Sequence, residues 1–243
     1  MASGGQGHER LAHPPWPISA CADGAPVRGE GSKPIRLRRV ALNVVSQHMR
    51  KESSIIRCPW PTAGDPLYFS YHDDEWGVPV HDDRKIYEFI VLEMFQAGLS
   101  WRTVLHKREN FREAFSGFDY RRVAGFGKEE IARLLKDPGI IRNRKKIEGA
   151  INNARRFLEV QKEQGTFASY MWSWVGGKPI VHEFRSLEDY PKFTREAEAW
   201  AKDLKERGFH FLGPTVTYAH MQAVGMVNDH TIGCFRHSQL SKL

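Results

Sequence analysis

Two cysteines and two histidines stand in pairs near opposite ends of the sequence: Cys58 and His72, with thirteen residues between them, and His230 and Cys234, in a His-x3-Cys spacing. Thiolate and imidazole are donors that suit zinc. A closed set of four leaves no position for water, which marks a structural rather than a catalytic ion. On a helix the His-x3-Cys spacing puts both donors on one face. Spacing alone leaves a second reading open, in which the pairs are buried thiols and rings with no ion between them. Glu93 is the next signal. It follows Ile86 by seven residues and is flanked by Phe89, Ile90, Met94 and Ala97, so a helix here turns a carboxylate toward the core. Such a group either pairs with a buried Arg or Lys, or faces a pocket that uses its charge. Trp60, Tyr68, Tyr71, Trp76 and Trp101 fall within 42 residues around it. Aromatic faces with one carboxylate attract a flat cation, although the same rings serve equally as ordinary core. A third signal is the turn Lys136-Asp137-Pro138-Gly139-Ile140-Ile141, after which Arg142, Arg144, Lys145 and Lys146 supply four basic residues in five. A glycine turn leading into a helix exposes N–H groups that can hold phosphate oxygens, and adjacent cations add contacts that carry no base sequence information. A solvated, charged helix start is the alternative.

Helices must position these groups. From residue 82 onward apolar residues recur at three and four, with few alternating runs, so the fold class is all-α. Asp82 or Asp83 caps a helix that carries Ile86, Phe89, Ile90 and Met94 inward and reaches about Ala97, where Gly98 ends it. Ser100 caps the next, through about Lys107. Further helices are expected at 109–116, 128–136, 143–163, 167–175, 193–207 and 215–227, with Asp119 and Pro214 among the start signals. The connections are short, and residues 57–243 read as one compact domain with enough chain for a sizeable core.

The whole chain of 243 residues carries 36 Lys and Arg against 29 Asp and Glu, net +7, and three cysteines. No run approaches the roughly 18 apolar residues of a spanning helix, and no secretory leader is evident, which excludes membrane proteins and exported disulfide scaffolds. An odd, small number of cysteines suits a reducing compartment, and a cytoplasmic location is expected. Residues 1–56 hold 8 basic and 4 acidic side chains with 6 Gly and 5 Pro and no sustained apolar period; they read as a disordered extension. Met49 as an alternative start is preferred over an organellar leader there. The closing Ser241-Lys242-Leu243 spells a peroxisomal address, but three letters recur by chance. The remaining 187 residues carry only +3, so any case for nucleic acid rests on local patches.

The motifs themselves are specific. Arg57-Cys58-x-Trp60, Asp65-Pro66-Leu67-Tyr68-x-x-Tyr71-His72-Asp73-x-Glu75-Trp76-Gly77-Val78-Pro79, Leu92-Glu93-x-x-Gln96-Ala97-Gly98-Leu99-Ser100-Trp101, Gly139-Ile140-Ile141-Arg142 and Val227-Asn228-Asp229-His230-x-x-Gly233-Cys234 follow one another along the chain. From Arg57 to Cys234 the sequence closely resembles the DNA-3-methyladenine glycosylase I family, within the helix-hairpin-helix glycosylase superfamily. The resemblance implies one structural zinc ion on Cys58, His72, His230 and Cys234, joining the two ends of the domain. It implies that Glu93 is the catalytic group and that Tyr68, Tyr71 and Trp101 line a pocket for a flipped base, with Trp60 and Trp76 packed around it. Gln96 and Leu99 match positions that fill the gap left in the duplex. The turn at Gly139, with Arg142 and Arg144, matches the phosphate-binding hairpin. The implied partner is alkylation-damaged double-stranded DNA, the implied reaction is monofunctional release of 3-methyladenine, and a monomer is expected. Superfamily relatives use an aspartate after the hairpin; Asp229 is the nearest local candidate and is given a structural role.

Three other readings compete. His72-Asp73-Asp74 and His81-Asp82-Asp83 could build a metal-dependent phosphohydrolase site. His182-Glu183 begins a zinc-deaminase signature but lacks the following Pro-Cys-x-x-Cys. A module that binds damaged DNA without excising bases is the third.

Overall fold

The computed structural model describes residues 55–61 and 63–242. The expected disordered extension and the start at Met49 lie outside the described residues, apart from Ile55 and Ile56, as does Leu243. In chain order the elements are α1 (Pro66–Ser70), a π turn (Tyr71–Glu75), α2 (Asp83–Gln96), α3 (Trp101–Leu105), α4 (Arg108–Ala114), α5 (Tyr120–Ala124), α6 (Lys128–Lys136), α7 (Arg144–Gln164) and α8 (Phe167–Ser173). Strand β1 (Ile180–Val181), α9 (Arg195–Glu206), α10 (Pro214–Ala223), β2 (Val227–Asn228) and α11 (Phe235–Leu240) follow, with short 3-10 turns at Ser116–Phe118 and Leu187–Asp189. The fold is mostly helical, as expected; β1 and β2 pair in parallel, Ile180 against Val227, a small exception to the all-α reading. That pairing ends the helix expected over 215–227 at Ala223.

The N-caps define where the helices start. Asp82 accepts from the Lys85 N–H, Ser100 from Thr103, Asp119 from Arg121 and Asn143 from Lys146, each side chain satisfying a donor that the first turn leaves open. Helix α2 is buried from Ile86 through Gln96 on every face, so it is the central post of the molecule. Helices α3, α7, α8 and α10 pack against it, and α9 packs along α10.

Burying charge on such a helix requires partners. Glu88 has them: Arg108 Nε at 2.7 Å, Arg112 at 2.8 Å and Lys85 at 3.5 Å, with Arg108 also gripping Glu75 at 2.8 Å. This network binds α2 to α4 and to the π turn. Among the described residues no helix is long and apolar enough to cross a membrane.

Candidate functional site

The chain ends meet at the four predicted metal donors. Cys58 lies in the segment before α1, His72 in the π turn, His230 in the loop after β2 and Cys234 at the N-cap of α11. All four are buried, and their donor atoms lie within 4.8 Å of one another. Cys58 Sγ and Cys234 Sγ are each 3.4 Å from His230 Nδ1, and Cys234 Sγ is 3.5 Å from His72 Nε2. A tetrahedral ion with metal–sulfur bonds of ~2.3 Å and metal–nitrogen bonds of ~2.0 Å holds sulfur and nitrogen about 3.5 Å apart. The donor set therefore fits a metal ion. His72 turns Nδ1 to Asp73 at 2.7 Å, Asp73 is held by Arg57 at 2.6 Å, and His230 Nε2 meets the Trp76 carbonyl at 3.0 Å. Partners on the far nitrogens fix which ring nitrogen faces the centre. His230 and Cys234 do not share a helical face, contrary to the sequence expectation. The parallel pairing through β2 leads into an irregular loop, and a turn in which the Cys234 N–H donates to the Thr231 carbonyl brings the two donors together.

Glu93 resolves the alternatives its position left open. Both carboxylate oxygens lack a hydrogen-bond partner among the described residues, and the side chain is 2% exposed. Glu88 is the structural carboxylate of α2. Glu93 has no such partner among the described residues. Burial pushes its pKa up to about 8. Burial, and behind it nearby carboxylates that include Glu93, holds the Tyr68 and Tyr71 phenols above their usual range. The Tyr71 hydroxyl also lacks a partner among the described residues. The Tyr71 and Trp101 rings lie 5.0 Å apart, and Trp60 stands 5.3 Å from Tyr68 and 6.3 Å from Tyr71. Glu93, Tyr68, Tyr71, Trp101 and Trp60 thus share one neighbourhood. Trp76 sits behind Trp60, at 5.0 Å, and packs edge-on against His230 at 4.6 Å, so it belongs chiefly to the metal side.

A short turn leads from α2 to α3 beside this neighbourhood. Gln96 is buried, and its carbonyl accepts from the Leu99 N–H; Leu99 is 37% exposed. Lys146, in the first turn of α7, donates to the Phe95 carbonyl at 2.9 Å and the Ala97 carbonyl at 2.6 Å, tying α7 to the end of α2. The turn at Gly139 is held by Lys107, which donates to the Pro138 and Gly139 carbonyls at 3.2 Å. The Gly139 N–H is already given to Asp137 at 2.7 Å, and a Cβ at Gly139 would meet that carboxylate at 2.9 Å. Arg142 and Arg144 face solvent, the latter 3.3 Å from Glu148.

The turn at residues 207–213, between α9 and α10, was expected between two helices, but sequence reasoning assigned it no role. Asn153 clamps it to α7, accepting from the His210 N–H at 2.7 Å and donating to the His210 carbonyl at 2.9 Å. A cleft of about 980 Å³ runs beside it, with Lys145, Lys202, Lys205 and His210 at its walls. The signal was present in Gly208 and Gly213-Pro214, two glycines and a helix-initiating proline among lysines.

The competing constellations are committed elsewhere. Asp82 caps α2, and Asp83 accepts from the Phe167 and Ala168 N–H groups at 3.0 and 2.8 Å. His81 stacks on Trp172 at 4.8 Å. His182 Nδ1 lies 2.6 Å from Asp229, which also accepts from Tyr218 at 2.5 Å and Gln222 at 2.7 Å, a structural hub.

The geometry is that of a mostly helical domain in which one buried carboxylate, without a hydrogen-bond partner among the described residues, lies among aromatic rings. The model of the methyladenine glycosylase family matches residues 60–237. DNA-3-methyladenine glycosylase 1 of Escherichia coli strain K12 is 48% identical over 178 residues, spanning 73% of this chain and 95% of that one. A crystal structure of 3-methyladenine DNA glycosylase I superimposes with a TM-score of 0.73 at 50% identity, covering 75% of this chain and all of that one. The Staphylococcus aureus enzyme, solved to explain 3-methyladenine recognition, gives 0.72 at 36% identity over 74% and 96% of the two chains. The chain belongs to the methyladenine glycosylase family.

Proposed function

We infer that this protein is a DNA repair glycosylase that hydrolyses the N-glycosidic bond of 3-methyladenine in alkylated double-stranded DNA, releasing the free base and leaving an abasic site. The observation that carries the reading is Glu93, buried without a partner among the described residues and surrounded by Tyr68, Tyr71, Trp101 and Trp60, in a chain 48% identical to a glycosylase of that name. Methylation at N3 makes the adenine cationic, which weakens its bond to the sugar and lets it depart neutral. The site therefore needs little acid catalysis. Extrusion and stacking bring the cation to the aromatic rings and to Glu93, which accepts hydrogen bonds from its edge. Undamaged adenine has no charge to offset the cost of ionising a carboxylate whose pKa stands at about 8. Water then attacks the oxocarbenium-like sugar, and no lysine nucleophile is assigned, so the strand stays intact.

The catalytic unit in this reading is residues 57–243. Leu99, exposed at the end of α2, and Gln96 beneath it fill the space the base vacates. The turn at Gly139 with Arg142 and Arg144, together with the lysines beside residues 207–213, provides contacts to backbone phosphates. Zinc on Cys58, His72, His230 and Cys234 is structural, since four protein donors close the shell. A cytoplasmic monomer suits this work.

Incubation with methylated duplex, followed by chromatography, tests the proposal. The expected result is free 3-methyladenine and an equal number of abasic sites, with strand breaks only after alkali. Folded, zinc-loaded protein that binds the duplex and releases no base would overturn it in favour of a binding module.

A further inference from the structure

Helices α1 and α3 carry the Tyr68 and Trp101 rings, and each is five residues long. Isolated helices shorter than about 12 residues do not hold themselves in water, so neither can fix the direction of its ring without outside restraint. Asp65 supplies one that reaches both. Its Oδ1 accepts from the Tyr68 N–H at 3.2 Å, capping α1. Its Oδ2 accepts from Arg102 Nε at 2.6 Å and His106 Nε2 at 2.8 Å, both from the α3 segment and adjoining Trp101 in sequence or one turn on.

The burial of this carboxylate is informative. An N-cap needs only a surface oxygen, and Ser100, Asp119 and Asn143 perform that task elsewhere in the chain. Asp65 is instead 3% exposed, and the half-exposed Arg102 guanidinium and His106 ring, from α3 and its C-cap, lean in to meet it. Desolvating a charge for a cap alone would be wasteful. It is explained by a bridge between the two helices.

We propose that Asp65 is a positioning residue for base excision, cross-linking α1 to α3 so that Tyr68 and Trp101 are held at a fixed separation in the pocket around Glu93. The inference rests on the proposed function, because it concerns the rings assigned there to the flipped base. Asp65 touches no substrate; it acts through the backbone of Tyr68 and the side chains of Arg102 and His106.

The test compares wild type with Asp65→Asn, which keeps a capping oxygen for α1 but loses the charge that draws Arg102 and His106 inward. Asp65→Ala serves as the variant that loses cap and bridge together. Single-turnover release of 3-methyladenine is measured per folded molecule, well below the melting temperature of each protein, beside binding of a duplex carrying an abasic analogue. For Asp65→Asn the expected result is release slowed about 10-fold or more, since small misplacements of pocket groups are costly, with duplex binding within about twofold of wild type. Quenching of tryptophan fluorescence by free 3-methyladenine weakens in parallel. Unchanged release and quenching in a variant whose only defect is a lower melting temperature would overturn the inference and leave Asp65 a stability element. Absence of release from wild type would instead sink the proposed function itself.

Discussion

The two buried carboxylates of α2, Glu88 and Glu93, meet their burial in opposite ways. Glu88 is neutralised by Arg108, Arg112 and Lys85, whereas Glu93, five residues later, is surrounded by rings. The folded state holds the Glu93 proton to about pH 8, against 4.5 for an unperturbed glutamate. The contribution of Glu93 to folding stability therefore falls as the pH rises from about 4.5 to about 8, because the unfolded chain gives up the proton first. Glu93→Gln, uncharged throughout, is expected to be more stable than wild type at pH 8 by a few kcal/mol, ~1.4 per pKa unit of displacement, with the difference vanishing toward pH 4.5 in chemical denaturation. Activity runs the other way. On the proposed function the ionised carboxylate receives the cationic base, so kcat/KM is expected to climb with pH and level off near 8 in wild type and to be flat in Glu93→Gln. A wild-type profile without that limb would contradict the role of ionisation. Sequence periodicity was enough to place Glu93 on an inward face, because Ile86, Phe89, Ile90 and Met94 mark that face. It could not show that Glu88 also faces inward, since a helix buried on all sides has no polar stripe to read, nor that Arg108 would return from α4 to meet it.

At the scale of elements, legibility followed local chemistry. Helices α2, α6 and α7 appear within a residue or two of expectation because Asp82 and Asn143 cap two of them and Glu130 folds back on the Gly127 N–H at the start of the third. Helix α1 and the π turn passed unread: five residues of each leave no period to detect, although Asp65-Pro66 is a cap followed by a helix-starting proline. The β1–β2 pairing was equally hidden, since two residues cannot alternate. The bend that brings the chain from α10 into β2 depends on Gly225, where φ is +72° and a Cβ would sit 2.4 Å from the Val78 backbone. Gly225→Ala combines left-handed strain with a collision against main chain and is expected to cost about 3 kcal/mol or more in urea titration. A change below ~0.5 kcal/mol would mean that the bend can relax and does not constrain the loop carrying His230.

Across the whole molecule, the metal donors link segments that are 172 residues apart, Cys58 and His230, and so close the domain on itself. This convergence is invisible to spacing, which offered two pairs and no proof that they meet. On the proposed zinc site, loss of one donor would remove a bond that holds both ends at once. Cys234→Ser is expected to reduce bound zinc from one ion per chain to none and to lower the melting temperature by about 10 °C or more, measured by metal analysis and calorimetry on the same sample. Retention of the ion with an unchanged melting temperature would argue that the cluster is a set of buried thiols and rings and nothing more. The same closure brings the π turn, and with it Tyr71, against α2, so an ion held by these four donors would support the rings around Glu93 from behind.

The measurement that bears most directly on the account is single-turnover release of free bases from methylated duplex DNA by wild type and Glu93→Gln, each zinc-loaded and shown to be folded. The account predicts 3-methyladenine without 7-methylguanine from wild type, and release slowed about 100-fold in the variant with duplex binding retained. Equal rates from the two proteins would contradict it, because the buried carboxylate among these rings, without a hydrogen-bond partner among the described residues, would then do nothing for excision.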